Sequence, residues 1–310
     1  MEKYDEKSEL QSFGFNNMGA TCYFNSVLQS LMSCTSFTTL LTKNVSNTKF
    51  LENPVTKFMI ELIISARDES KKNLLCQYSP RIWKEMVIYL SRKNKKDVRE
   101  ILVGQQCARE GFHCLMDALE EFNEIQKLFL HKYKTSIHCF ICNEWVSKTY
   151  STYSIFEVQH DLKTEQLDHF KKYDTVGTLN MNKFLQQQSS FVDKDYKCPK
   201  CKDTSEKYIR NDLVMIPEIL PVLSKKYSDG MKLNVFTDFP LELSFKGNHN
   251  NVLKYKAVSQ IEHTGGLNGG HYWSISKRND GWYTLNDANV SKSEFKPTKS
   301  TYIVFYHYYE

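Results

Sequence analysis

Two residue patterns in this 310-residue chain could do chemistry. The first is a cysteine at the head of an apolar helical stretch, in "GFNNMGATCYFNSVLQSLMSC" from Gly14 to Cys34. Phe24, Val27, Leu28 and Leu31 fall at i, i+3, i+4 and i+7, one apolar face of a helix. Thr21 then reads as the helix cap, with Cys22 in the first turn. Unpaired backbone N–H groups there favour negative charge and lower a thiol pKa. Gly19 and Ala20 keep side chains away from the sulfur, and Asn17 offers an amide donor upstream. The plain alternative is a buried cysteine at an ordinary helix start.

A thiolate nucleophile needs a base, and the base needs a group that holds its tautomer. His271 has the most suggestive setting of the nine histidines, in "HTGGLNGGHYWSISK". The four glycines ahead of it allow a mobile loop and close approach by a substrate backbone, and the histidine then opens a strand. A structural histidine at a strand start is the competing reading. Next comes "RNDGWYTLNDANV", a turn followed by a returning strand. With a four-residue loop from Arg278 to Gly281, Lys277 faces Trp282 and Asn286 lies opposite Trp273. Asn286 is then diagonal to His271, about 7–8 Å away and within side-chain reach. A two-residue loop of Asp280 and Gly281 would instead put Asn286 opposite Ile275. An asparagine carbonyl in the first register would accept a hydrogen bond from the imidazole Nδ1–H. Asp287 is the other candidate, and adjacent strand residues point to opposite faces.

The second pattern is a pair of Cys-x-x-Cys knuckles, "HCFIC" with Cys139 and Cys142, and "KCPKC" with Cys198 and Cys201. Each tight turn directs two sulfurs at one ion, and two such turns complete a closed Cys₄ zinc site with a structural role. The 55 residues between the knuckles (143 to 197) exceed the usual zinc-ribbon spacing, so strands must bring the knuckles together. A redox pair is the rival for one knuckle, but it leaves the second unexplained.

The elements that must position these residues divide the chain. Residues from about 22 to 133 read mostly helical, in "PVTKFMIELIISARDES", in "SPRIWKEMVIYLSRK" with Ser79-Pro80 as cap and first-turn proline, and in "QQCAREGFHCLMDALEEFNEIQKLFL". In the last, Phe112, Leu115, Leu119 and Phe122 share one face of a continuous helix. Beyond about Thr135, stretches such as "KYKAVSQIEH", "HYWSISK", "GWYTLN" and "TYIVFYHYY" read as strands. Helices first and strands second predict an α+β fold with the active site in a cleft between the halves.

Composition narrows the function class. A net charge of +5 without a clustered basic stripe argues against nucleic acid as a partner. The run "SRKNKKDVR" reads as a solvated helix end or loop before it reads as a nuclear signal. The N-terminus lacks a secretory signal, and nothing in the chain approaches a membrane span. Nine cysteines without a small-scaffold spacing fit a reducing compartment, cytoplasmic or nuclear.

Taken together, these motifs resemble the ubiquitin-specific protease family of papain-like cysteine deubiquitinases. "GFNNMGATCYFNSVLQSL" looks like its cysteine box, "GGHYWSISKRNDGWYTLNDANV" like its histidine box, and "QQCAREGFHCLMDAL" like the glutamine-rich box between them. "LPVLSKKYSDGMKLNVFTDFPLEL" and "STYIVFYHYY" match further family stretches, so the likeness runs from about Ser12 to Tyr306. It implies a right-hand architecture in one catalytic domain over 12–310. The helical thumb would span about 12–134, zinc-pinned β fingers about 135–215 and a β-rich palm about 216–310, after a short extension over 1–11. It implies Cys22 as nucleophile, His271 as base, Asn286 as its orienting partner, Asn17 as oxyanion donor and Asp287 as a supporting residue. The implied activity is a monomeric thiol isopeptidase that cleaves after the Gly-Gly end of ubiquitin, acting on ubiquitinated proteins. The alternatives are a catalytically weak or dead ubiquitin-binding scaffold, or a protease for another ubiquitin-like modifier. Two positions depart from the pattern: Cys107 stands where the family has Asp, and Gly111 where it has Phe.

Overall fold

The computed structural model describes residues 10–68, 80–102, 104, 106–159, 178–180, 190–193, 196–204, 207–228, 231–233, 235–246, 252–266 and 269–309. Nearly all of the 1–11 extension, and Ser79, lie outside them. Where the apolar period is helical, the described chain forms α1 (Cys22–Met32), α2 (Thr35–Lys43), α3 (Thr48–Glu52), α4 (Pro54–Arg67), α5 (Pro80–Asn94), α6 (Val98–Leu102), α7 (Ala108–Ala118) and α8 (Asn123–Phe129). The helix expected to run on through Phe122 stops after Ala118. The side-chain amide of Asn53 takes the Ala118 carbonyl at 3.2 Å and the Glu121 carboxylate at 2.9 Å, which pins the turn there. Leu119 and Phe122 remain buried on either side of the break.

Strands begin at residue 131, slightly ahead of the expected change of character. They are β1 (His131–Cys139), β2 (Glu144–Tyr153), β3 (Phe156–Gln159), β4 (Thr178–Asn180), β5 (Ser190–Asp193), β6 (Lys207–Met215), β7 (Ile219–Lys225) and β8 (Tyr227–Ser228). There follow β9 (Met231–Lys232), β10 (Phe236–Asp238), β11 (Glu242–Lys246), β12 (Val252–Gly265), β13 (Gly270–Arg278), β14 (Gly281–Asn286), β15 (Asn289–Ser293) and β16 (Thr301–Tyr308). A four-stranded sheet takes the order β2-β1-β6-β5, and a large sheet the order β15-β14-β13-β12-β16-β7-β3 with β11 on β12. β3 joins the large sheet through parallel pairing with β7.

The large sheet is buried on both faces around β16, where Tyr302 to Tyr306 form an uninterrupted apolar run. In β16, Ile303 and Phe305 enter the helical core while Val304 and Tyr306 enter a second cluster on the opposite face. Phe112 of α7 meets Phe129 and Phe305 edge-on at centroid distances of 5.6 and 5.8 Å, which seats the helices on the sheet. The helix α1 lies deepest. All eleven of its residues are buried, not only the predicted apolar face. Its polar residues Asn25, Ser26, Gln29 and Ser30 therefore need partners inside the protein, and each has one.

Candidate active site and metal centre

Four segments meet at the N-terminal end of α1. Gly19 enters the turn ahead of the helix with φ at +132°, a left-handed value that a glycine adopts without strain. Thr21 occupies the cap position but does not cap. Its hydroxyl turns back to accept from the Met18 amide at 3.0 Å, while its carbonyl takes the Phe24 and Asn25 amides. The Asn17 side-chain oxygen Oδ1 accepts from the Gly19 and Thr21 amides, both at 3.1 Å, so its Nδ2 must face outward from the turn.

Cys22 opens α1 and is buried. Its thiol pKa is raised, against the expectation from a helix start. Burial is the main cause and the negative charge of Asp287 adds to it; backbone amides of Tyr272, Tyr23 and Cys22 itself pull the other way without prevailing. The Tyr272 amide puts this sulfur beside the residue that follows His271.

The hairpin of β13 and β14 keeps the expected register with a tighter turn. Lys277 faces Trp282, Arg278 pairs with Gly281, and only Asn279 and Asp280 form the loop. Asn286 thereby reaches His271, with 2.6 Å between Oδ1 and Nε2. The nitrogen facing Asn286 is Nε2 rather than the expected Nδ1. With Nε2–H donated to the amide oxygen, Nδ1 is left as the acceptor. Trp273 stacks on the imidazole at 6.0 Å between centroids and 23° between planes. Asp287 follows with a left-handed φ of +49° and turns its carboxylate to Asn17 and Asn25. One of its carboxylate oxygens accepts from the Asn17 side chain at 3.0 Å and the other from Asn25 at 2.8 Å. Asn25 escaped the sequence reading because a polar residue in an amphipathic helix is ordinarily a solvated one.

The glycine hairpin ahead of His271 divides its glycines by role. Gly265 has φ at +105°, and a Cβ on Gly270 would stand 2.3 Å from His263 Nε2, so these two serve close packing. Gly266 and Gly269 face open space and are joined by a 2.8 Å backbone hydrogen bond. The Lys232 ammonium ties the hairpin to β9 by donating to the Gly265 carbonyl at 2.8 Å.

The two departures in the glutamine-rich box have local answers. The Cys107 sulfur accepts from the Glu110 amide at 3.4 Å, as a carboxylate would at that N-cap. At Gly111, a Cβ would stand 2.9 Å from the ring of Tyr23, which occupies the space and donates its hydroxyl to the Ile101 carbonyl at 3.0 Å.

The four knuckle cysteines converge at the end of the four-stranded sheet. The β1–β2 turn carries Cys139 and Cys142; the β5–β6 connection carries Cys198 and Cys201. Antiparallel pairing of β1 with β6, through Cys139 opposite Lys207, brings them together. After each knuckle the chain turns through a left-handed residue, Asn143 at +56° and Lys202 at +63°. The four sulfurs lie within 4.8 Å of one another, with 3.8 Å from Cys139 to Cys201 and 3.9 Å from Cys142 to Cys198. A zinc ion about 2.3 Å from four tetrahedral thiolates sets sulfurs about 3.8 Å apart, so the donor set fits. Although burial raises the Cys198 thiol, the amides of Cys201 and Lys200 hold it down to about 6.

Comparison with known proteins gives the family and the fold. The family model described as ubiquitin carboxyl-terminal hydrolase matches residues 13–306. Ubiquitin carboxyl-terminal hydrolase 5 of Saccharomyces cerevisiae is 28% identical over 217 residues, covering 61% of this chain and 25% of that protein. Ubiquitin carboxyl-terminal hydrolase 16 of Arabidopsis thaliana is 23% identical over 331 aligned positions, covering 98% of this chain and 31% of that protein. The chain thus spans between a quarter and a third of the length of these relatives. Among solved structures, the SAGA DUB module of Ubp8 with Sgf11, Sus1 and Sgf73 bound to monoubiquitin superposes with a TM-score of 0.79. The identity is 17%, over 100% of this chain and 72% of that one. The same module bound to ubiquitin aldehyde gives 0.76, also at 17% identity, over 99% and 71%. With the family model covering all but the two ends, the chain belongs to the ubiquitin carboxyl-terminal hydrolase family.

Proposed function

We propose that this domain is a thiol-dependent deubiquitinase in which Cys22 is the nucleophile, His271 the base, Asn286 its orienting partner and Asn17 the oxyanion donor. The observation that carries the reading is the 2.6 Å contact of His271 Nε2 with Asn286 on a ring adjoining the amide beside Cys22. In this reading the Cys22 sulfur attacks the carbonyl carbon of ubiquitin's terminal glycine as its proton passes to His271 Nδ1. The C–N bond to the substrate lysine breaks when Nδ1 returns that proton to the leaving amine. Water then attacks the thioester carbon as His271 Nδ1 takes its proton; the C–S bond breaks and that proton returns to the Cys22 sulfur. Asn286 accepts Nε2–H throughout, so Nδ1 alone carries the moving proton. Asn17 has two amide hydrogens. One goes to Asp287 and the other serves the developing oxyanion, so Asp287, itself held by Asn25, sets the plane of the donor.

The raised thiol pKa is compatible with this order of events, because the proton leaves when the imidazole is present to take it. Ubiquitin as partner rests on the family and on the ubiquitin-bound state of the similar solved structures. Cys139, Cys142, Cys198 and Cys201 would hold a zinc ion whose chemistry is to crosslink the sheet tip, since four thiolates leave no open position. The reading includes action as a monomer in a reducing compartment, cytoplasm or nucleus, where thiols persist. A panel of C-terminal electrophile probes built on ubiquitin and its relatives tests it. An adduct on Cys22 with ubiquitin alone is expected. Labelling elsewhere, or only with another modifier, overturns it.

A further inference from the structure

The far end of α1 holds a buried polar node that the reaction itself does not use. Gln29 and Arg278 are 2% and 4% exposed. The Gln29 side chain bridges two segments: its Nε2 donates to the Phe13 carbonyl at 2.7 Å, and its Oε1 accepts from Arg278 Nη2 at 2.5 Å. Arg278 also donates to the Gln29 carbonyl at 3.4 Å, to the Ser33 hydroxyl at 2.5 Å and to the Lys277 carbonyl at 3.0 Å. No carboxylate is among these partners. The guanidinium lies instead at the C-terminal end of α1, where the helix presents its negative pole.

The placement of these ties is the informative part. α1 and β13 run in the same direction, with Cys22 beside Tyr272 at one end and Gln29 and Ser33 beside Arg278 at the other. Phe13 lies four residues before Asn17, and the intervening Phe15 amide donates to the Asp287 carbonyl at 2.8 Å. Beside Gln29 and Arg278, Ser30 of α1, Ser259 of β12 and Ser276 of β13 form a buried hydroxyl chain with 2.8 and 2.7 Å links. A buried cation is costly to maintain. Burial lowers the Arg278 pKa to about 10, and its Nε has no hydrogen-bond partner. An apolar side chain would fill the same space at less cost, whereas only a forked donor joins a helix end, a strand end and, through Gln29, the entering segment.

We infer that Gln29 and Arg278 are positioning residues that fix the register of the three segments carrying Asn17, Cys22 and His271. The inference rests on the catalytic reading above. Its test compares Gln29→Leu, Gln29→Glu and Arg278→Lys in the full chain. Gln29→Glu keeps an acceptor for the guanidinium but loses the donor to Phe13; Arg278→Lys keeps the charge without the fork. Four quantities are measured: melting temperature, amide exchange at Phe15 and Tyr272, the pH profile of Cys22 alkylation by iodoacetamide, and kcat and KM on a ubiquitin C-terminal fluorogenic amide. Gln29→Leu is expected to lower kcat roughly tenfold with KM within about twofold, to speed exchange at Phe15 and to shift the alkylation profile. Gln29→Glu should speed exchange at Phe15 while sparing Tyr272, and Arg278→Lys should affect both. If every variant loses melting temperature alone, with exchange, alkylation and kcat unmoved, the pair only packs and the inference fails. If the wild type does not hydrolyse the substrate but exchange and alkylation respond as described, the catalytic reading fails and the positional one stands.

Discussion

The two cysteine-bearing regions organise their polar groups in opposite ways. At the tip of the four-stranded sheet, four thiols converge from two tight turns, and one strand pairing suffices to join them. At the head of α1, the groups come from residues 17, 22, 25, 271, 286 and 287, and their meeting depends on a helix, a hairpin register and an entering loop at once. The tip is a local device repeated; the cleft is a long-range one. Damage to the tip should therefore remain a matter of metal and stability, whereas damage to the cleft should appear in chemistry while the fold persists.

The largest separation is expected from Cys22→Ala. Hydrolysis should fall by a factor on the order of 10⁴ or more, with zinc content, melting temperature and ubiquitin binding close to wild type. Activity persisting near the wild-type rate would move the nucleophile to another cysteine. Next in size is Asn286→Ala, which should lower kcat on the order of 10²-fold with a smaller change in KM, while Asn286→Asp keeps much of the activity because a carboxylate also accepts Nε2–H. Were Asn286→Ala near wild type and Asp287→Ala inactive, the third residue would be the carboxylate instead.

Asp287 sharpens the contrast through its charge. Burial first and this carboxylate second raise the Cys22 pKa, so Asp287→Asn should move the inflection of Cys22 alkylation to lower pH. The sign follows from removing a negative charge near a thiolate. An unchanged or higher inflection would mean that the carboxylate does not act on the sulfur. Turnover should still fall in this variant, because one amide oxygen cannot accept from both Asn17 and Asn25, which share the two carboxylate oxygens.

On the other side of the comparison, Cys198→Ser or Cys142→Ser should release zinc, measured by metal analysis, and lower the melting temperature. Activity should drop roughly tenfold, through KM more than kcat, since the sheet tip lies outside the cleft. Full zinc content with unchanged melting would dissolve the assignment.

Sequence alone carried these regions unequally for the same reason. The knuckles are legible because spacing of two residues between cysteines is itself the geometry. The His271–Asn286 meeting was legible only because a hairpin turns a register into a contact, and even there the loop proved two residues long and the ring nitrogen the other one. Asn25, Gln29 and Arg278 were not legible. A polar residue on a helix reads as solvent-facing until the strands that cover it are known, and those strands lie more than 200 residues away. The Cys22 pKa failed likewise: a helix start is a local signal, but burial under β13 is not.

The smallest expected effect tests one such failure directly. A threonine ahead of a helix is expected to cap it, and losing a cap costs about 1 kcal/mol. Here the Thr21 hydroxyl accepts from the Met18 amide at 3.0 Å and leaves the helix amides to its own carbonyl. Thr21→Ala removes the hydroxyl and keeps the carbonyl. The loss in stability should again be about 1 kcal/mol, the net worth of one hydrogen bond, so stability alone cannot separate the two roles. Amide exchange can. Met18 should exchange faster in Thr21→Ala, with Phe24 and Asn25 as protected as in the wild type, and Thr21→Ser should restore Met18. Faster exchange at Phe24 and Asn25 with Met18 unchanged would return Thr21 to the role of a cap. In the expected outcome the hydroxyl stabilises the loop that aims Asn17, and the residue belongs to the cleft rather than to the helix.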